Sequence, residues 1–401
     1  MSAKQVSIVL VGIGGYGNTH VNQLLHAYSE GDVRPVIVGV VDVSPEKSNH
    51  YQALQDLNVP FYTTLDQFYA VNKADLAVIS TPIQFHCDQT CLALANGSNV
   101  LCEKPIAATV QEVRRMMEAR DQSGKFVAIG FDWSFTPQIQ QLKQDIMSGC
   151  FGKPKRLKTI VLWKRTDTYF SSGWKGRKKS DQGDWILDSV AHNATSHYLH
   201  NMFYILGSKT DESLRLQSVE AELYRANPIE NFDTCAVRVQ GEGGVEALFY
   251  ATHAVSHNFG PSFCYEFEKA TITFTFGHNE NRIEAVFADG TRKVYEAQKA
   301  SKLRICIKAV ASGDSLIPCG LEAAYAEVLC TNGMLDSMPA IRPFPEALIR
   351  RDEEEKFTWV EGLKESLLDS YHRWALPSEL GYEWAAKGTL TELGNYRSYV
   401  G

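Results

Sequence analysis

The stretch WILDSVAHNATSHYLHNM, residues 185–202, holds one carboxylate, Asp188, four residues ahead of His192, with His197 and His200 close behind. In a helix a spacing of four puts Asp188 and His192 on one face, one turn apart and within reach of a shared hydrogen bond. A base and the acid that orients it look like this, and an imidazole, with an unperturbed pKa of about 6.5, suits the base. The plainer alternative is that Asp188 caps a helix whose Ala191, Ala194, Tyr198, Leu199 and Met202 pack inward. His197, five residues past His192, falls on another part of such a helix and stands either as a structural histidine or as an alternative base. Histidines at i, i+5 and i+8 do not converge as the i, i+4 zinc pair does, so no metal is expected.

A second chemical signal lies near the N-terminus. GIGGYG places Gly12, Gly14 and Gly17 at the Gly-x-Gly-x-x-Gly spacing, with Ile13, Gly15 and Tyr16 between them. The motif follows an apolar run, Val6 to Val11, and opens a segment of helical spacing, His20 to Tyr28. In that setting Gly12 permits a tight turn, Gly14 lets backbone amides approach a pyrophosphate, and Gly17 lets helix and strand lie close. Asp42 ends the next apolar run, VIVGVVD, where a carboxylate can accept both ribose hydroxyls of NAD and repels the 2'-phosphate of NADP. NAD is therefore expected, with NADP disfavoured.

The elements that must position these residues alternate. ADLAVIS (74–80), a helical CDQTCLALANG (87–97), NVLCEK (99–104), a helical TVQEVRRMMEARDQSG (109–124) and KFVAIGF (125–131) continue the order strand, helix, strand. Such alternation implies a parallel sheet covered on both faces and joined by right-handed crossovers. After Phe131 the pattern changes. A helix opened by Trp185 precedes β-rich runs between 214 and 300 with glycine-containing turns, which read as an antiparallel sheet. Helical patterns return at 301–313, 321–335 and 353–370. The expected fold is α/β: a Rossmann domain over 1–131, then an α+β domain over 132–401 with a large open, mainly antiparallel sheet.

Bulk properties narrow the partners. A net charge of -7 provides no basic face for nucleic acid, and the one basic cluster, KGRKKS at 175–180, reads as a solvated loop. Nine cysteines without a Cys-x-x-Cys pair suggest neither a disulfide framework nor a zinc knuckle. VSIVLVGIG is too soon interrupted by glycine for a signal sequence, and no later run approaches a membrane span, so a cytoplasmic location is expected.

STPIQFH (80–86) followed by LCEKP (101–105) resembles the signatures of the Gfo/Idh/MocA oxidoreductases, which include glucose-fructose oxidoreductase and inositol dehydrogenases. The resemblance extends through GCFGKPKRLK (149–158), LDSVAHNATSHYLHNMFYILG (187–207) and NFDTCAVRV (231–239). It implies a Rossmann domain, an α/β domain whose open sheet serves in a homodimer or homotetramer, and a carbohydrate or polyol substrate. It also implies that Lys104 is the family's catalytic lysine and that Asp188 and His192 are its Asp-x-x-x-His pair. Thr81, Pro82, His86, Glu103 and Lys104 then join the glycine loop and Asp42 in the cofactor site. In the reaction so implied, hydride leaves a carbinol carbon for the nicotinamide while His192 takes the hydroxyl proton, Lys104 stabilises the alkoxide and Asp188 orients the imidazole or the substrate.

The chain departs from the family pattern in three places. Asp132, Trp133 and Ser134 stand where Asn-x-Arg is common, Val190 replaces a glycine, and Thr195 replaces an aspartate. These departures leave the base in place and open the question of substrate. Trp133, Trp163, Lys164, Arg165, Tyr169 and Trp174 suit a sugar, whose apolar faces stack on aromatics, although tryptophans also serve as core. Trp133, Tyr169 and Trp174 are expected to line the substrate site with Lys104, Asp188 and His192. Two other functions fit the same residues: an NAD-dependent glycosidase using transient oxidation, and a non-catalytic NAD(P)-sensing regulator.

Overall fold

The computed structural model describes residues 4–26, 33–171 and 173–401. The first eleven regular elements alternate: β1 (Lys4–Val11), α1 (Gly17–His26), β2 (Val33–Val41), α2 (Tyr51–Asp56), β3 (Phe61–Tyr62), α3 (Leu65–Val71), β4 (Leu76–Ile79), α4 (His86–Ala95), β5 (Asn99–Cys102), α5 (Val110–Ser123) and β6 (Val127–Ile129). The expected helix from His20 to Tyr28 is α1; residues 27 and 28 lie outside the described residues. The six strands form one sheet in the order β3-β2-β1-β4-β5-β6, and every pair is parallel. Strand order reverses between β1 and β4, and the crevice at such a switch point is where doubly wound sheets bind ligands. β4 and the apolar end of β1 are buried at every residue, as a sheet covered on both faces requires.

The elements that follow are α6 (Pro137–Met147), β7 (Pro154–Leu162), α7 (Asp167–Phe170), α8 (Ser196–Tyr204), β8 (Leu216–Arg225), β9 (Thr234–Gly241), β10 (Glu246–Thr252), β11 (Phe259–Phe267), β12 (Ala270–Thr275), β13 (Ile283–Phe287) and β14 (Arg292–Tyr295). Then come α9 (Lys302–Ser312), α10 (Leu321–Ser337), β15 (Arg342–Pro343), β16 (Ile349–Asp352), β17 (Phe357–Val360), α11 (Leu363–Arg373) and β18 (Thr391–Glu392). The second sheet runs β14-β13-β12-β11-β7-β10-β9-β8-β15, antiparallel except where β10 meets β7 and β15 meets β8.

The chain divides into two compact units. The first comprises Met1–Ala107, Gln111–Phe135 and Ala300–Ala323; the second comprises the rest. The segment 300–323, placed by sequence in the second domain, thus returns to the first. There α9 buries Leu303, Cys306 and Ile307, and the backbone amide of Ile129 donates to the Cys319 carbonyl at 2.8 Å, continuing the β6 edge. An amphipathic helix carries no label for the sheet it will cover.

Two further expectations change. The sequence pattern makes 353–370 helical, yet β16 and β17 form an antiparallel hairpin before α11 begins. The outer face of the second sheet, expected to lie bare, is in large part covered by the chain's own C-terminal segment. Ile160, Leu162, Leu248, Tyr250 and Ala236 on that face share a core with Val360, Leu367, Tyr371 and Leu376. Polar groups on the same face find partners there: Lys158 donates to the Tyr371 carbonyl at 2.8 Å, and Arg238 makes a two-pronged bond to Glu379. No helix of the described residues is long and apolar enough to cross a membrane.

Candidate active site

In the first unit the loops after β1, β2, β4 and β5 carry the expected cofactor residues. Gly12 has a φ of +80°, and a Cβ there would stand 2.9 Å from the Ser80 carbonyl oxygen. At Gly17 a Cβ would come within 2.3 Å of the Gly12 oxygen. Nothing lies within 4 Å of a Cβ built on Gly14, so the loop is open on the side where a pyrophosphate approaches. Asp42 ties this loop to β2: its two carboxylate oxygens accept from the Ile13 and Ser44 amides, each at 2.8 Å. Ile13 itself is buried, Gly15 continues the turn with a φ of +48°, and Tyr16 is exposed. Thr81 and Pro82 follow Ser80 in the loop after β4, with the Thr81 methyl group 3.1 Å from a Cβ built on Gly12. The residues present fit an NAD dinucleotide.

His86 and Glu103, expected in the cofactor site, brace the loops that carry it. The buried His86 ring places Nδ1 2.8 Å from the Pro105 carbonyl and Nε2 2.8 Å from the Thr81 carbonyl, bridging the loops after β4 and β5. Glu103 Oε1 lies 2.8 Å from His20 Nε2 on α1 and 2.7 Å from Lys302 Nζ on α9. Lys302 also pairs with Asp132 at 3.0 Å and donates to the Gly130 carbonyl at 2.9 Å. Burial pushes the Glu103 carboxyl up, but Lys302 and His20 outweigh it and hold the group down at about 2. The hub therefore fixes the strand end from which Lys104 projects. Lys302 carried no motif, and only the buried pairing reveals it.

In the second unit the opening stretch is not the regular helix expected. Leu187 has a φ of +51°, Ser189 caps a single π turn at Val190–Ala194 by accepting from the His192 amide at 3.1 Å, and α8 starts only at Ser196. Asp188 thus precedes the helix. Its Oδ1 accepts from Asn193 Nδ2 at 2.7 Å and its Oδ2 from the Gly176 amide. The carboxylate on His192 belongs to Glu327 of α10: Nδ1 and Oε1 are 3.1 Å apart, both side chains are buried, and the Thr331 hydroxyl is 3.3 Å from the same nitrogen. A proton on Nδ1 satisfies that carboxylate, which leaves the lone pair of Nε2 as the basic position. His200 is buried in a stack on Tyr204, and burial lowers it to about 3. His197 is half-buried on α8.

The aromatic candidates separate. Trp133 belongs to the first unit; Tyr169 and Trp174 belong to the second. Trp163 is structural, its indole donating to the Gly260 carbonyl at 3.1 Å, and Lys164 pairs with Glu355. Tyr169 packs around a small buried void with Asp188, Val190, Phe232 and His253 that is too narrow for a water molecule. The basic run at 175–180 is no free loop: Lys175 lies over the Tyr169 ring, Lys179 over Trp185, and Arg177 pairs with Asp181 and Glu230.

Residues 6–131 match the model of the Gfo/Idh/MocA "oxidoreductase family, NAD-binding Rossmann fold". Over that stretch the chain is similar to that family. Among curated relatives, an inositol 2-dehydrogenase of Rubrobacter xylanophilus is 25% identical over 214 residues, 52% of this chain and 55% of its own. A D-glucoside 3-dehydrogenase of Escherichia coli is 35% identical over 81 residues, 20% of this chain and 23% of its own. The matched region thus spans from about a quarter to about half of these relatives' length. Two solved structures share the fold over both units: the WlbA dehydrogenase of Bordetella pertussis with NADH and UDP-GlcNAcA, and a levoglucosan dehydrogenase with NADH and levoglucosan. The former has a TM-score of 0.67 at 22% identity, covering 83% of this chain and 97% of its own. The latter has a TM-score of 0.67 at 17% identity, covering 84% and 97%. At the point where the chain departs from the Gfo/Idh/MocA pattern, the Asp132 carboxylate meets the Lys302 ammonium at 3.0 Å.

Proposed function

We propose that the protein is an NAD-dependent dehydrogenase acting on a CH-OH group of a sugar, polyol or sugar derivative. The observation that carries the reading is His192 anchored through Nδ1 on the buried Glu327, which presents a single basic nitrogen of defined orientation. NAD on the glycine loop and Asp42 supplies the hydride acceptor. His192 Nε2 takes the hydroxyl proton, Lys104 donates to the oxygen as charge develops on it, and Asp188, fixed by Asn193 and the Gly176 amide, binds a substrate hydroxyl. Trp133, Tyr169 and Trp174 supply apolar faces for the ring.

A cytoplasmic location belongs to this proposal, and nine cysteines that are all unbridged suit a reducing compartment. So does a homodimer or homotetramer. With the β7 to β8 part of the sheet covered, its contact falls on the outer face of β11 to β14, where Thr273, Arg292 and Val294 stay exposed.

The test is NADH absorbance with a panel of sugars, inositols and sugar acids, using wild type, His192→Ala and His197→Ala. Turnover that drops by roughly two to four powers of ten in His192→Ala alone supports the reading. Conversion of a glycoside without net NADH moves it to the glycosidase chemistry. Tight NAD binding without turnover of any member moves it to a sensor.

A further inference from the structure

Among the nucleophilic side chains that the hydride chemistry does not use are two cysteines on one face of α4. Cys87 and Cys91 are four residues apart, and both thiols lean on α5: Cys87 Sγ is 3.3 Å from the Glu112 carbonyl oxygen and Cys91 Sγ 3.9 Å from that of Arg115. The two thiols are hydrogen-bonded to one another, and the Arg115 guanidinium, paired with Asp88, bonds to Cys91. Cys87 is buried, whereas Cys91 is partly exposed. All of these residues belong to the first unit.

This arrangement makes the two sulfurs chemically unequal. The hydrogen bond from Cys87, with Arg115 alongside, holds the Cys91 thiol well below the usual thiol range, while the same bond and burial push Cys87 up. Cys91 is thus the thiolate and Cys87 its protonated neighbour, a pairing of accessible nucleophile and resolving thiol that favours reversible oxidation. Burial instead raises the thiols of Cys102, Cys235, Cys306 and Cys330, and of the partly exposed Cys264.

The backbone permits closure. Four rises of about 1.5 Å separate the two Cα atoms by about 6 Å in a helix, inside the roughly 4.4–6.8 Å that a disulfide spans. Helical Cβ atoms at this spacing stand about 5–6 Å apart and a disulfide needs about 3.8 Å, so closure tightens the first turn of α4. His86, the residue before Cys87, opens that helix and bridges the Thr81 and Pro105 carbonyls, which ties the turn to the loops after β4 and β5.

We propose that Cys91 and Cys87 form a peroxide-sensing dithiol that closes to a disulfide and, through His86, loosens the loops that carry NAD. The Cys91 thiolate attacks one oxygen of hydrogen peroxide; the O–O bond breaks, the sulfur is oxidised to a sulfenic acid, and the other oxygen leaves as hydroxide. The Cys87 sulfur then attacks the sulfenic sulfur, the S–O bond breaks, and the Cys87 proton leaves with the hydroxyl as water. Two electrons pass in all from the thiols to peroxide. An added thiol such as dithiothreitol reverses the closure by exchange.

The experiment exposes the full chain to hydrogen peroxide and maps its peptides under non-reducing conditions, for wild type, Cys91→Ser, Cys87→Ser and Arg115→Gln. Wild type should gain a Cys87–Cys91 disulfide that dithiothreitol removes. Cys87→Ser should stop at a Cys91 sulfenic acid that dimedone captures, Cys91→Ser should form neither, and Arg115→Gln should slow the reaction about threefold or more. Before oxidation, iodoacetamide should label Cys91 at least about tenfold faster than Cys150 or Cys264. NADH fluorescence titration of the oxidised protein should give a Kd raised about fivefold or more, restored on reduction. Labelling and mapping of wild type need no substitution, so they decide the matter where a serine variant misfolds. Peroxide that leaves Cys87 and Cys91 as thiols, or that oxidises Cys150 or Cys264 first, overturns the proposal. A disulfide that keeps NADH affinity within about twofold of the reduced protein overturns its link to the cofactor loops. Neither outcome touches the dehydrogenase reading, which rests on His192 and Glu327.

Discussion

Replacing Glu103 by glutamine keeps the shape of the hub behind Lys104 and removes its charge. Glu103 Oε1 serves His20 and Lys302 at once, and Lys302 is 4% exposed, so the variant leaves a buried ammonium with one fewer anion. Breaking a buried ion pair from one side costs about 3–5 kcal/mol. Lys302 retains Asp132 at 3.0 Å and the Gly130 carbonyl at 2.9 Å, which puts the expected loss at the lower end, about 3 kcal/mol. At roughly 2–4 °C per kcal/mol for a domain of this size, the first unit should melt about 6–12 °C earlier. Calorimetry with and without NAD assigns the transition, since two units need not unfold together. The pH dependence fixes the sign. The folded carboxyl, at about 2, lies below its ordinary 4.5, so its stabilisation is complete above 4.5 and is lost as the pH falls towards 2. The gap between wild type and Glu103→Gln must therefore close over that acid window. A melting shift under about 2 °C at neutral pH, or a gap that widens on acidification, refutes the reasoning.

Three shorter predictions concern the site itself. NAD should bind more tightly than NADP, and Asp42→Asn should narrow the difference; tighter NADP binding by wild type contradicts the role given to Asp42. Gly14→Ala should leave the melting temperature near wild type, because its Cβ meets no protein atom within 4 Å, yet weaken NAD binding by about tenfold or more. Titration by NADH fluorescence checks it, and unchanged affinity places the cofactor elsewhere. Glu327→Gln should slow turnover by roughly 10–100-fold with NAD affinity preserved, as expected for losing the group that orients a catalytic imidazole; a rate within about twofold of wild type shows that Glu327 does not position His192.

Much of this protein is written in local pattern. The alternation of apolar runs and helical spacings, the glycines of the first turn and Asp42 at the end of β2 are legible because each depends on neighbours within about thirty residues. Asp188 and His192 were visible as a pair, but their spacing misled: a left-handed Leu187, the Ser189 cap and a π turn put Asp188 ahead of the helix, where it binds Asn193 and the Gly176 amide. The group that holds His192 comes from Glu327, 135 residues away, inside an apolar helix pattern that marks it as nothing special. Lys302 is hidden in the same way, a lysine on an amphipathic helix that becomes the buried partner of Glu103 only when α9 returns to the first sheet. Local sequence specifies backbone conformation and which faces are apolar. Which distant carboxylate meets which buried cation is a long-range choice, made by the packing that excludes water from both.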